Sequence, residues 1–222
     1  SSYLKKNMPS PLIYLTEGSR IFLSSVKSRL APKQYEGNAE QICRQIVKDC
    51  WNGHFFQTST DNFPQFWTRD FGFCTASLLK MGYKDEVQAT LRYALHRFKR
   101  AGKITTTITP QGKPYDFSTM AADSLPWLIH SMKLAKFGYY ENRQFLEREI
   151  QRYFAELIDH NTGLVRPDRD VSSIKDLAIR KSSCYDNCMV GMLAQDVKAL
   201  KLLDPFTQFN YPELLQRLRH HR

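Results

Sequence analysis

The sequence predicts an all-α fold of paired helices, and three observations predict it. From Asn38 onward, segments with apolar residues at helical spacing follow one another, separated by Gly, Pro or Asn. These segments are of two alternating kinds, one with a single apolar stripe and many charges, the other apolar nearly all round. Only one stretch, "KITTTITPQGKPYDF", alternates β-branched and polar residues around a Gly turn, and it reads as a short β-ribbon inserted between helices rather than as a sheet.

Residues 1–37 read as a lead-in segment, and residues 38–222 as the folded unit. Asn38 and Gln41 stand at capping-box spacing before "AEQICRQIVKDCW", where Ile42, Ile46 and Cys50 share a face. After "WNGHFF" a helix is expected from about Trp67 to Met81, ending at Gly82. Another is expected from Asp85 to Arg100, with Val87, Leu91, Leu95 and Phe98 in a stripe and Gly102 as its stop. Past the ribbon, helices are expected from Ala121 to Phe137, from Glu141 to Ile158 and from about Asp186 to Leu203.

The segments at Asp85 and Glu141 have the one-sided pattern of outer helices; those at Trp67, Ala121 and Asp186 have the all-round apolar character of inner ones. Asn210 and Glu213 repeat the capping-box spacing of Asn38, so "FNYPELLQRLRHHR" echoes the first helix, and the chain is expected to be cut in mid-repeat. Without an initiator Met, the chain is expected to be a fragment or a processed form.

Composition narrows the function classes. Hydrophobic residues make up 42% of 222 residues, enough for a sizeable core, and no apolar run is long enough to span a bilayer. Lys and Arg exceed Asp and Glu by 32 − 22 = +10, but the basic residues are spread over helix faces without a nucleic-acid motif, so neither a nucleic acid nor a membrane is expected as partner. The five cysteines, with no C-x-x-C pair, argue against a disulfide framework and for a reducing, cytoplasmic setting. Cys184 and Cys188, one turn apart, are expected to be small buried hydrophobes rather than metal ligands. No P-loop, dinucleotide fingerprint or G-x-S-x-G elbow is present, and no cofactor is implied.

If consecutive helices are antiparallel and alternate between layers, all inner helices run the same way and their N-termini share one end. The loops and first turns there carry Trp67, Arg69 and Asp70, then Tyr115, Asp116 and Asp123, then Asp176, Tyr185, Asp186 and Asn187. Carboxylates, one Arg and aromatic rings brought together suit a sugar, whose hydroxyls pair with Asp and Arg while its C–H faces stack on rings. The simpler alternative is that Asp70, Asp123 and Asp186 serve as helix caps, and that Trp67 and Trp127 are core.

The stretch "FWTRDFGFCTASLLKMGYKDEVQATLRYAL", followed by "GKITTTITPQGKPYDFSTMAADSLPWLIHSMKLA", resembles the six-hairpin glycosidase superfamily, especially its glycogen-debranching-like, glucoamylase-like and neutral-invertase-like members. The likeness runs in order from about Glu40 to Leu203. It implies an α/α toroid with a carbohydrate site at its mouth, of which this chain would hold about three hairpins.

Trp67, Arg69 and Asp70 match the superfamily's W-x-R-D, whose polar members hold the hydroxyls of the terminal sugar, and Asp123 matches the Asp of its D-[AS] motif. Asp176 falls where these enzymes place a carboxylic general acid in a Trp-x-Asp context, though Ile174 stands in place of that Trp. The resemblance therefore implies a glycoside hydrolase for α-linked glucose-type oligo- or polysaccharides. Asp176 would be the acid, with Asp186 in reserve, and Tyr115 and Asp186 would help to bind the sugar. The second carboxylate would lie in a later hairpin beyond Arg222, and a lone half of the ring is expected to be inactive. Loss of the Trp before Asp176 favours the alternative of a carbohydrate-binding or scaffold protein without turnover. A lyase or epimerase would want a His base, and His54, His96, His130 and His160 mostly lie off the motif positions.

Overall fold

The computed structural model describes residues 11–30, 33–117, 119–173 and 181–220. Helices dominate them: α1 (Pro11–Leu30), α2 (Ala39–Cys50), α3 (Thr68–Lys80), α4 (Lys84–Ala101), α5 (Ser124–Ala135), α6 (Arg143–Leu157), α7 (Cys184–Ala199) and α8 (Tyr211–His220). Three two-residue strands, β1 (Phe66–Trp67), β2 (Thr107–Ile108) and β3 (Pro114–Tyr115), form one antiparallel sheet in the order β1-β2-β3.

Local chemistry sets several of the helix ends. The Asn38 side chain accepts from the Gln41 amide at 3.0 Å while the Gln41 side chain accepts from the Asn38 amide at 2.8 Å, closing the capping box. At the other end of the chain Asn210 accepts from the Glu213 amide at 3.4 Å, so the two echoed segments use the same start. Gly102 ends α4 in the left-handed conformation, φ 74°, which costs glycine nothing.

Helices α3, α5 and α7 form a row, with α5 in the middle. Cross-contacts show that they run parallel. The start of α3 meets the start of α5 through Arg69 and Asp123, and their middles meet where Thr75 Oγ1 donates to Ser131 Oγ at 3.0 Å. The starts of α5 and α7 meet through Asp123 and Tyr185, and their far halves through His130 and Asp196.

Helix α4 packs on α3 and α5, α6 on α5, and α8 on α7. The buried stripe of α4 (Val87, Leu91, Leu95, Phe98) is the one its sequence pattern predicts, and each such side chain contributes about 1.5–3 kcal/mol. Helix α3 approaches α5 closely at Gly72, where a Cβ would lie 2.6 Å from the Trp127 side chain.

One expectation needs correction. The Thr-rich stretch is part of a sheet after all: β1, just before α3, pairs with β2, Phe66 opposite Ile108 and Trp67 opposite Thr107. Buried threonines make this possible by satisfying backbone carbonyls, Thr107 Oγ1 donating to Phe66 O at 2.8 Å and Thr68 Oγ1 to Thr105 O at 2.9 Å. The pairing fixes the height at which α3 starts.

Helix α1 occupies twenty residues of the lead-in. It lies against the sheet through polar contacts: Tyr14 Oη donates to Asp116 O at 3.0 Å, and the buried Glu17 carboxylate accepts from Arg20 at 2.8 Å and from Gln65 Nε2 at 2.5 Å.

Candidate functional site

The common N-terminal end of α3, α5 and α7 gathers charged and aromatic side chains. Arg69, in the first turn of α3, donates to Ser173 O at 2.8 Å and lies 3.6 Å from Asp70 Oδ2 and 3.8 Å from Asp123 Oδ2. Asp123 is the residue immediately before α5 and is fully buried, yet its side chain makes no capping bond. Its Oδ2 accepts from Tyr185 Oη at 3.1 Å, and Oδ1 has no hydrogen-bond partner. Tyr185 in turn accepts from Trp127 Nε1 at 3.2 Å. The Phe73 ring, half exposed, lies 4.4 Å from that of Trp127.

Burial governs the electrostatics of this cluster. Removal from water pushes the Asp123 carboxyl up to about 6, and nearby Asp186 adds to the rise, although Arg69 and the Tyr185 hydroxyl pull it down. Asp123 therefore exchanges its proton near neutral pH. Burial, and then the charge of Asp123, hold the Tyr185 phenol well above its usual value, so it remains a donor. The wholly buried Tyr153 donates to Ala122 O at 2.7 Å and supports the turn into α5 from beneath.

The sequence-derived candidates divide three ways. Arg69, Asp70 and Asp123 meet at the shared end. Asp186 comes close but is tied into the start of α7, where Ser183 is the cap: Ser183 Oγ accepts from the Asp186 amide at 3.2 Å and donates to its Oδ2 at 2.7 Å, while Oδ1 stays buried without a partner. Trp67 and Tyr115 are not brought into the cluster. Trp67, in β1, is buried with its ring against Phe63 and Phe117, and Tyr115, in β3, is buried beneath α1 with its ring edge-on to Tyr14. The sheet accounts for both positions, because it turns these side chains toward α1 rather than toward the row. Asp176 lies outside the described residues.

The remaining polar residues have structural partners. Asp116 accepts from Lys103 at 2.9 Å and from the Thr106 amide at 3.2 Å, and Asn187 Oδ1 accepts from the Val165 amide at 2.8 Å. Cys184 and Cys188, expected in the core, are exposed, because they fall on the side of α7 that no described helix covers. Sequence reasoning gave no role to Ser173, whose contribution is a backbone carbonyl, or to Phe73. Tyr185, one of the residues the sequence places at the shared helix starts, is brought to Asp123 as a hydrogen-bond donor.

Chemically, the cluster offers a guanidinium, an accessible carboxylate (Asp70), a buried carboxyl that titrates near neutrality, and ring faces beside them. Among the described residues no three His, Cys, Asp or Glu side chains are grouped closely enough to hold a metal ion, and no helix is long and apolar enough to cross a membrane. Comparison with protein families, with curated proteins and with solved structures finds no match.

Proposed function

We propose that this chain belongs to an α/α toroid glycoside hydrolase acting on α-linked glucose-type oligo- or polysaccharides by carboxylate acid/base catalysis. The meeting of Arg69, Asp70, Asp123 and Tyr185 at the shared start of three parallel helices, with Trp127 and Phe73 alongside, is the observation that supports this reading. In it, Arg69 and Asp70 hold sugar hydroxyls through charge-assisted hydrogen bonds, Asp123 orients Arg69 from behind, and a ring face receives the apolar side of a pyranose.

Asp176 serves as the acid that protonates the leaving oxygen. Asp186 is the poorer choice for that role, since one of its oxygens is committed to Ser183. Later hairpins of the ring supply the second carboxylate, and a cytoplasmic location belongs to the same reading. The substitution of Ile174 for the expected Trp favours the second reading, carbohydrate binding without turnover.

Glucose release from maltooligosaccharides by the full-length protein tests the proposal. The Asp176→Asn variant is expected to lose on the order of 10²–10⁴ in kcat, the usual contribution of a general acid. Unchanged turnover removes Asp176 from its role. Retained maltooligosaccharide binding with no turnover in either form, weakened by Asp70→Asn, selects the second reading. Neither binding nor turnover rejects both.

A further inference from the structure

The loop that leaves α6 walls an open hollow of about 430 Å³, separate from the Arg69 cluster and lined by Ile158, Asp159, His160, Asn161, Arg166 and Asp168. Ligand sites commonly have volumes of about 300–1,000 Å³. The hollow belongs to the same end of the molecule as the cluster. Tyr153, late in α6, donates to Ala122 O at 2.7 Å just ahead of α5, and the Val165 amide donates at 2.8 Å to Asn187 Oδ1 in the first turn of α7.

The loop is firmly held. Asp159 Oδ1 accepts from the Asn161 and Thr162 amides at 2.8 and 3.3 Å, which sets the turn. Ile158 and Val165 pair across it, and Tyr211 Oη donates to Gly163 O at 2.8 Å. Gly163 takes φ 75°, and a Cβ there would lie 2.6 Å from the Phe209 ring, so the turn packs tightly onto the segment that leads into α8. The exposed His160 ring lies against that of Phe154, with centroids 4.8 Å apart and planes 18° from parallel. One face of the imidazole is thereby fixed, and the other is left as a flat surface at the hollow.

The polar groups around this ring suit a neutral, hydroxyl-rich ligand. Arg166 forks onto Asp168 at 3.0 and 2.7 Å, so each neutralises the other. Asp159 keeps its second oxygen, and the exposed Asn161 carboxamide supplies both donors and an acceptor. A phosphate would meet two carboxylates, and a cation would find only one that is not already paired. The adjacent hydroxyls of a sugar instead pair with Asp159, Asn161 and Arg166, while its C–H face lies on the imidazole.

We propose that this hollow is a second carbohydrate site, and that the substrate is a polysaccharide held here by one part of its chain while another part occupies the Arg69 cluster. The proposal rests on the reading of that cluster as a sugar site, because a ring, carboxylates and a guanidinium recur in both places. An open site grips single sugars weakly. Its effect is on chains, where attachment at one site raises the local concentration of sugar at the other.

Retardation of the full-length protein in native gels containing amylopectin tests the proposal, with maltotriose affinity read separately by calorimetry. The wild type is expected to be retarded. Replacing two exposed side chains together, His160→Ala with Asn161→Ala, is expected to weaken the amylopectin association on the order of tenfold, with maltotriose affinity, turnover and the circular dichroism spectrum unchanged. His160→Phe keeps a flat ring and is expected to behave as the wild type does. Asp70→Asn gives the converse, a loss of maltotriose affinity with retardation that persists. A wild type that is not retarded, a double variant retarded as strongly as the wild type, equal loss in His160→Phe, or retardation abolished by Asp70→Asn alone overturns the inference. If maltotriose binds to none of these forms, yet the wild type is retarded and the double variant is not, the sugar reading of the Arg69 cluster fails and the hollow stands.

Discussion

Two buried aspartates lie between the same two helices, one at each end of the α5–α7 contact, and they are treated in opposite ways. Asp196, in the far half, has both oxygens engaged: Oδ2 meets His130 Nδ1 at 2.7 Å and Oδ1 accepts from Lys133 Nζ. Asp123, at the common start, has a tyrosine hydroxyl on one oxygen, a guanidinium at 3.8 Å and nothing on the other oxygen, and its carboxyl is pushed up to about 6. The first arrangement fastens two helices together. The second leaves a charge imperfectly compensated where polar and aromatic groups gather, as expected where binding rather than stability decides the residue.

The comparison is broken most directly by removing Asp196. Asp196→Ala deletes the fastening and leaves the Lys133 ammonium and the His130 ring without their shared partner; because both side chains are partly exposed, the loss is expected at about 2–3 kcal/mol, below the range for fully buried pairs, as measured by urea unfolding at pH 7.

Asp123 should behave in the reverse sense. A folded-state value of about 6 against an ordinary 3.8 means that the folded chain holds the proton more tightly, so stability falls as pH rises from about 4 to 6, and the ionised group then costs up to about 3 kcal/mol. Asp123→Asn is expected to gain up to about 3 kcal/mol at pH 8, since the raised value is already net of the attraction to Arg69, and almost nothing at pH 4. Unfolding curves at the two pH values give the difference. A variant destabilised equally at both would mean that the carboxylate is structural after all.

The smallest change supplies a control on the same helix. Lys136 ends α5 with φ 49°, a left-handed conformation strained for a residue with a Cβ. Lys136→Gly is expected to stabilise by about 0.5 kcal/mol, visible as a small rise in Tm, because glycine adopts the left-handed conformation without a steric cost.

The sequence foretold the helices from Asn38 onward because their ends are set by local chemistry: a reciprocal Asn38–Gln41 cap, Ser183 before α7, and glycine after α4. It foretold the meeting of Arg69 with Asp123 because each stands at the start of an inner helix, and helix direction alone brings such starts together. Pairing across the sheet was not legible: Phe66 and Ile108 are far apart in the chain, and two-residue strands leave no periodic trace. That pairing carries Trp67 and Tyr115 away from the cluster. Helix α1 was missed because its contact side mixes Ile13 and Tyr14 with the buried Glu17, while several of its larger apolar residues are exposed, so no single apolar stripe announces an inward face. Exposure of Cys184 and Cys188 depends on which faces remain uncovered, which spacing does not encode.

The close approach of α3 to α5 at Gly72 couples two positions that are 55 residues apart. With the Trp127 side chain 2.6 Å from where a Cβ would stand, neither site can be altered on its own terms. The atom met first is the Trp127 Cβ itself, so a side chain at 72 needs either glycine at 127 or a wider spacing of the two helices, and loss of the indole would give up the bond to Tyr185. Glycine at 72 is thus tied, through one indole, to the network around Asp123, and any sequence that keeps this network inherits a bare backbone at that point on α3.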